Sequence, residues 1–142
     1  MRKKRFIVPV PAPSLAHKSV HVIEYYEPNH ESYLRFIRHR LGDAPVEIKV
    51  FGDHEAYFNA VTPDKLPDVL VLSNRQKGMT GVDLITRLRR EGYAGKAFIF
   101  TGGPQIELSA EMEADDVFYK PTDTRRLLDA IYLALHAPNE PH

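Results

Sequence analysis

The sequence predicts an α/β domain: one parallel sheet of five strands with helices on both faces. Three observations predict it. Short segments rich in Val, Ile and Phe alternate along the chain with longer segments whose apolar residues recur at helical spacing. The connections are short, as in strand–helix–strand units. Two segments, 68–72 (DVLVL) and 97–100 (AFIF), run almost wholly apolar, the pattern of strands covered on both sides.

Each element follows in turn. Residues 19–25 (SVHVIEY) read as the first strand, with Val20, Val22 and Ile23 favouring β structure despite His21 and Glu24. Pro28 suits the first turn of a helix, and Tyr33, Leu34, Ile37 and Leu41 follow at helical spacing. Arg35, Arg38, His39 and Arg40 form its solvated face, and Gly42 ends it. Residues 46–51 (VEIKVF) alternate like a half-exposed strand. Asp53 caps a helix carrying Ala56, Tyr57, Phe58 and Ala60, and Pro63 and Pro67 bracket a loop. The third strand, 68–72, runs into Ser73 and a turn with Gly78 and Gly81; the helix 82–91 places Val82, Leu84, Ile85 and Leu88 on one side. The fourth strand, 97–100, ends in the turn Thr101-Gly-Gly-Pro104. A weak helix spans 105–112, and a fifth strand 116–119 (DVFY) ends at Lys120–Pro121. Asp123 begins a final helix that buries Leu127, Leu128, Ile131, Ala134 and Leu135, and Pro138 stops it. Right-handed crossovers favour the flavodoxin-like strand order 2-1-3-4-5.

Composition narrows the function classes. The 142 residues fit one domain with a sizeable core. There is no cysteine, which excludes disulfides and thiolate metal sites and suits a reducing, cytoplasmic setting. The seven histidines show no metal-ligand spacing, so no metal is expected. Charge balances over the chain, but Arg2, Lys3, Lys4, Arg5 and Lys18 leave the start basic and the body mildly acidic, unlike a nucleic-acid binder. No apolar run is long enough to span a bilayer. Pro9, Pro11 and Pro13 break the apolar part of the start, so 1–18 reads as an extended basic arm rather than a cleaved signal, 19–137 as the domain and 138–142 as a polar tail.

Four places, taken together in order, resemble the receiver (CheY-like) domain of bacterial response regulators. They are IEYYEP (23–28), PDVLVLSNRQKGMTG (67–81) with VDLITRLR after it, FIFTGG (98–103) and ADDVFYKP (114–121). The resemblance implies a phosphoryl-accepting aspartate at the end of the third strand. It also implies two acids after the first strand holding Mg²⁺, a hard ion that takes oxygen ligands, and a hydroxyl and a lysine on the phosphoryl oxygens. Thr101 matches the hydroxyl and Lys120 the lysine, with Lys120–Pro121 expected cis. Ser73 stands at the acceptor position, Tyr25 and Tyr26 at the acid pair, and Val117 where the family carries its switch aromatic.

The chemistry of these residues points away from phosphoryl transfer. A serine hydroxyl is a poor nucleophile without an adjacent base, and Glu27, the nearest remaining acid, makes no Mg²⁺ site alone. Tyr25 and Tyr26 are expected to fill the pocket, more simply as packing than as a ligand wall. Glu24 is expected to point to the opposite face from Tyr25. Lys120 is left to reach solvent, pair with Glu27 or lie over a tyrosine ring. Neither a nucleophile–base pair nor a cofactor motif is present, so no enzymatic activity and no cofactor are expected. The resulting expectation is a pseudo-receiver that binds another signalling protein or a second copy of itself. Family analogy places the contact on the fourth helix, fifth strand and final helix, at Asp116, Arg125, Arg126, Asp129 and Tyr132. The rival reading is a small-ligand sensor using the cleft of Tyr25, Tyr26, Ser73 and Thr101.

Overall fold

A computed structural model describes residues 17–74, 78–102 and 113–137. The arm before residue 17, the helix expected over 105–112 and the tail 138–142 lie outside the described residues. The strands are β1 (Ser19–Ile23), β2 (Glu47–Phe51), β3 (Val69–Leu72), β4 (Lys96–Thr101) and β5 (Asp116–Tyr119). All pair in parallel, in the predicted order β2-β1-β3-β4-β5. The helices described are α1 (His30–Leu41), α2 (His54–Ala60), α3 (Gly81–Arg90) and α4 (Thr124–His136), with 3₁₀ turns at Glu27–Asn29 and Pro63–Lys65.

Strand alternation sorts the side chains into two cores. Val20, Val22, Val69, Val71, Phe98, Phe100 and Phe118 meet Tyr33, Ile37 and Leu41 of α1 and Leu127, Ile131 and Leu135 of α4. On the other face Ile23, Leu70, Leu72, Ile99 and Val117 meet Tyr57 of α2 and Leu84, Ile85 and Leu88 of α3. Both faces of β3 and β4 are therefore covered, which is why those strands carry almost no polar residue. Val117 is buried in the second core.

Local chemistry fixes the helix ends. The Asp53 carboxylate accepts from the Ala56 amide at 2.7 Å, as its N-cap position predicts. Thr80 and Asp83 form a reciprocal capping box at the start of α3. Gly42 closes α1 at φ 63°, a conformation that favours glycine. The basic face of α1 is less free than the sequence suggests. Arg38 donates to the Ala44 carbonyl at 2.8 Å and the Val46 carbonyl at 2.5 Å, tying α1 to the entry of β2. Arg40 reaches α4, with Nε 3.1 Å from Asp129 and its guanidinium 4.0 Å from the Tyr132 ring centre.

That last pair engages two of the residues expected on the contact surface. Asp129 and Tyr132 lie on the side of α4 turned to α1, held there by Arg40. Tyr132 also stacks on His136. Arg125 and Arg126 remain exposed, although Arg126 pairs with Asp123 at 3.2 Å. Asp116 is half-buried and accepts from the Val117 amide at 2.8 Å.

Candidate functional site

The carboxyl ends of β1, β3, β4 and β5 converge on one rim of the sheet. Here β1 ends at Ile23, and the next residue decides the site. Glu24 keeps the parity of Val20 and Val22, so its side chain falls on the α1–α4 side and is buried. Its Oε1 accepts from the Lys120 ammonium at 2.7 Å and from the Tyr33 hydroxyl at 3.0 Å, and its Oε2 accepts from the Tyr26 amide at 3.0 Å. His30 donates to the Glu24 carbonyl at 2.6 Å. The carboxylate thus has three donors in place of lost water, as a buried charge requires. Burial by itself would raise its pKa. The Lys120 hydrogen bond and charge, the Tyr26 amide and the Tyr33 hydroxyl outweigh burial and hold it below the ordinary carboxyl range. Tyr33 is pushed up, by burial first and by the neighbouring Glu24 charge second.

Lys120 crosses from the end of β5 to the end of β1, with β3 and β4 between them. It is about one quarter exposed, and its ammonium lies 5.6 Å from the Tyr33 ring centre and 5.4 Å from that of Phe100. Its own amide donates to the Thr101 carbonyl at 2.9 Å. Thr101 is buried at the end of β4, and the Lys120–Pro121 peptide is cis, as the resemblance implies.

Ser73 follows β3 and is buried. Its amide donates to the Ile23 carbonyl at 3.1 Å, and its hydroxyl donates weakly to the same oxygen at 3.5 Å. The loop beyond it is tied down on both sides. Asn74 accepts from the Gly81 amide with its carbonyl and from the Val82 amide with Oδ1, both at 3.1 Å. From below, His54 of α2 donates through Nδ1 to the Met79 carbonyl at 2.9 Å. Burial keeps that imidazole's pKa low, against the opposing pull of the Met79 carbonyl and nearby acids. Gly81 passes so close to the strand end that a Cβ there would sit 2.6 Å from the Ser73 carbonyl oxygen.

Solved structures match this arrangement. One titled "Crystal structure of FixJ-N" is 26% identical, with a TM-score of 0.69 over 87% of this chain and 98% of its own. A LuxR-family DNA-binding response regulator from Staphylococcus aureus is 18% identical, with a TM-score of 0.69 over 83% of this chain and 98% of its own. The signal receiver domain of the putative response regulator NarL from Mycobacterium tuberculosis is 16% identical, at 0.68 over 87% and 99%. The chain has the CheY-like receiver fold. No protein-family model and no curated protein sequence matches it.

The receiver pocket of this chain differs from the one the sequence suggests. Tyr25 and Tyr26 are 63% and 60% exposed and do not fill it. Glu27 is exposed in the 3₁₀ turn and does not meet Lys120. The carboxylate that does is Glu24, assigned from sequence to the face away from the site. The expected opposition of Glu24 and Tyr25 holds; it is the acid that points inward. Tyr33, His30 and His54 also belong to the site and were not expected there. For Glu24 and Tyr33 the signal was available: one continues the β1 alternation and the other lies on the buried stripe of α1. Among the described residues no group of three His, Asp or Glu is placed to hold a metal ion.

Proposed function

We propose that the chain is a phosphorylation-independent pseudo-receiver, working as a protein-interaction module in bacterial signal transduction. The observation that carries this reading is the closed Glu24–Lys120 pair. In the receivers that this fold resembles, the lysine serves a phosphoryl group and strand-end acids serve a metal. Here the lysine and the buried acid satisfy each other, and β3 is followed by Ser73, whose hydroxyl has no base within its hydrogen bonds. Opening the pocket to a phosphoryl group would break a buried ion pair and leave Glu24 uncompensated. What remains is surface. Arg125 and Arg126 are exposed on α4, and Asp129, also exposed, and Tyr132 share that helix while meeting Arg40 of α1. The partner is another signalling protein or a second copy of the chain.

The test is direct. Incubated with acetyl phosphate and Mg²⁺, the full chain incorporates no phosphate. With beryllium fluoride and Mg²⁺, its amide NMR spectrum does not change. Stoichiometric, Mg²⁺-dependent beryllium fluoride binding would overturn the proposal.

A further inference from the structure

On the other face of the sheet the helical cover is incomplete. α2 has only seven residues and packs on α3; on this side of β2, Phe51 meets Tyr57 of α2 while Glu47 and Lys49 stay exposed. A cavity of about 1020 Å³ opens there between β1, β2, α2 and the 61–66 connection. His21 lines it. This side chain is 5% exposed and is a polar residue set among Val20, Val22 and Ile23 in the middle of a core strand. Its imidazole meets the rings of Phe51 and Tyr57 edge-on, at 5.2 and 5.7 Å, and those two rings stand 4.9 Å apart. Ala56 and Ala60 form the small-residue wall opposite.

The polar groups of the cavity are mostly spoken for, and what is left over has one character. Glu47 pairs with Lys49 at 3.7 Å, Asp68 takes the Ser19 amide at 2.8 Å and Lys18 at 3.9 Å, and Asp53 caps α2. The Thr62 side chain hydrogen-bonds Asp64. Lys65 makes no ion pair among the described residues. His21 Nδ1 is 2.7 Å from the Tyr57 hydroxyl. That hydroxyl is buried and has no other partner among the described residues, so it donates to Nδ1 and fixes the proton on Nε2. Nε2 has no protein partner among the described residues, yet it is not one of the polar atoms sealed from solvent. The ring that carries it lines the cavity. Burial, reinforced by the Lys49 charge, lowers the His21 pKa to about 4, so the ring is a neutral donor at ordinary pH. The groups left without a hydrogen bond or ion pair among the described residues are therefore the His21 Nε2–H and the Lys65 ammonium, whose charge also acts on the neighbouring Asp64.

We propose that this cavity binds a small aromatic carboxylate, its ring against Phe51 and Tyr57, an acceptor on His21 Nε2–H and its carboxylate at Lys65. The inference uses neither Ser73 nor Lys120, so it stands or falls separately from the pseudo-receiver reading. The probe is nicotinate, which has a ring acceptor and a carboxylate, with neutral nicotinamide as its control. Calorimetric titration of the full chain gives saturable nicotinate binding, weakened about tenfold or more for nicotinamide and for Lys65→Met. Lys65 is exposed, so the melting temperature of that variant is unchanged. Imidazole ¹⁵N NMR shows the His21 Nε2 resonance moving on titration, and His21→Phe loses the binding. Unchanged nicotinate affinity in Lys65→Met, a stationary His21 resonance or equal affinity for nicotinamide would each overturn the proposal. So would absence of binding by the full chain.

Discussion

At the scale of single residues, Glu24 carries the most consequence. A carboxylate at 6% side-chain exposure persists as a charge only because three donors face it. Removing the cation leaves the anion stranded, which for buried pairs costs about 3–5 kcal/mol. Lys120 is partly solvated, so Lys120→Met is expected to lose about 2–4 kcal/mol of unfolding free energy in urea titration. The linkage has a definite sign. Glu24's pKa is lowered on folding, so its contribution is complete above its ordinary value of 4.5 and fades as the pH falls through the lower, folded value. The stability difference between the native chain and Glu24→Gln should therefore shrink below about pH 4.5. A constant difference down to the acid transition would show that the carboxylate is not the group held by Lys120. This residue also shows where sequence reading stopped. The alternation of side chains placed Glu24 and Tyr25 on opposite faces correctly. It could not say which face held the site, because that depends on where Lys120 arrives from 96 positions away.

Elements were more legible than sites. β5 falls where the sequence put it, and the other strands agree within two residues, because continuous Val, Leu, Ile and Phe runs have few alternatives. The stripe of Leu127, Ile131 and Leu135 on α4 is buried as its spacing requires. The polar side of that helix carries contacts, at Asp129 and Tyr132, that its own pattern does not announce. Charge patterning within one helix says nothing about Arg40 on another. The junction of β3 and α3 gives a sharp test. A methyl group at residue 81 would meet main-chain atoms, Ser73 O at 2.6 Å and Asn74 Cα at 3.1 Å, which cannot rotate away. Gly81→Ala is expected to cost about 2–3 kcal/mol, in the range of overpacked cores. Chemical denaturation measures it, and a neutral result would mean that α3 does not pack this closely on the strand end.

For the whole molecule, two buried imidazoles on the α2 side add a pH dependence of their own. The pKa of His21 is lowered to about 4 by burial and then by Lys49, and that of His54 is lowered chiefly by burial. Above their ordinary value of 6.5 neither favours the unfolded chain. Between pH 6.5 and 4 the unfolded chain binds protons that the folded one refuses, so stability falls as pH falls. The His21 part amounts to about 3 kcal/mol across that window, and His21→Phe should flatten the pH profile there. An identical slope in the variant would show that His21 titrates freely in the fold.

The position of α4 has a consequence for how the chain is made. The face of the sheet formed by Val20, Val22, Val69, Val71, Phe98 and Phe100 is closed by Leu127, Ile131 and Leu135. The partner of Glu24 is residue 120. A ribosome working from the amino end has therefore produced α1 and all five described strands before it delivers the rest of the cover for that side of the sheet or the cation for its buried acid. Until then the nascent chain exposes a broad aliphatic and aromatic surface, the kind that draws chaperones or other unfinished chains. Folding of this domain is gated by α4, which follows every described strand.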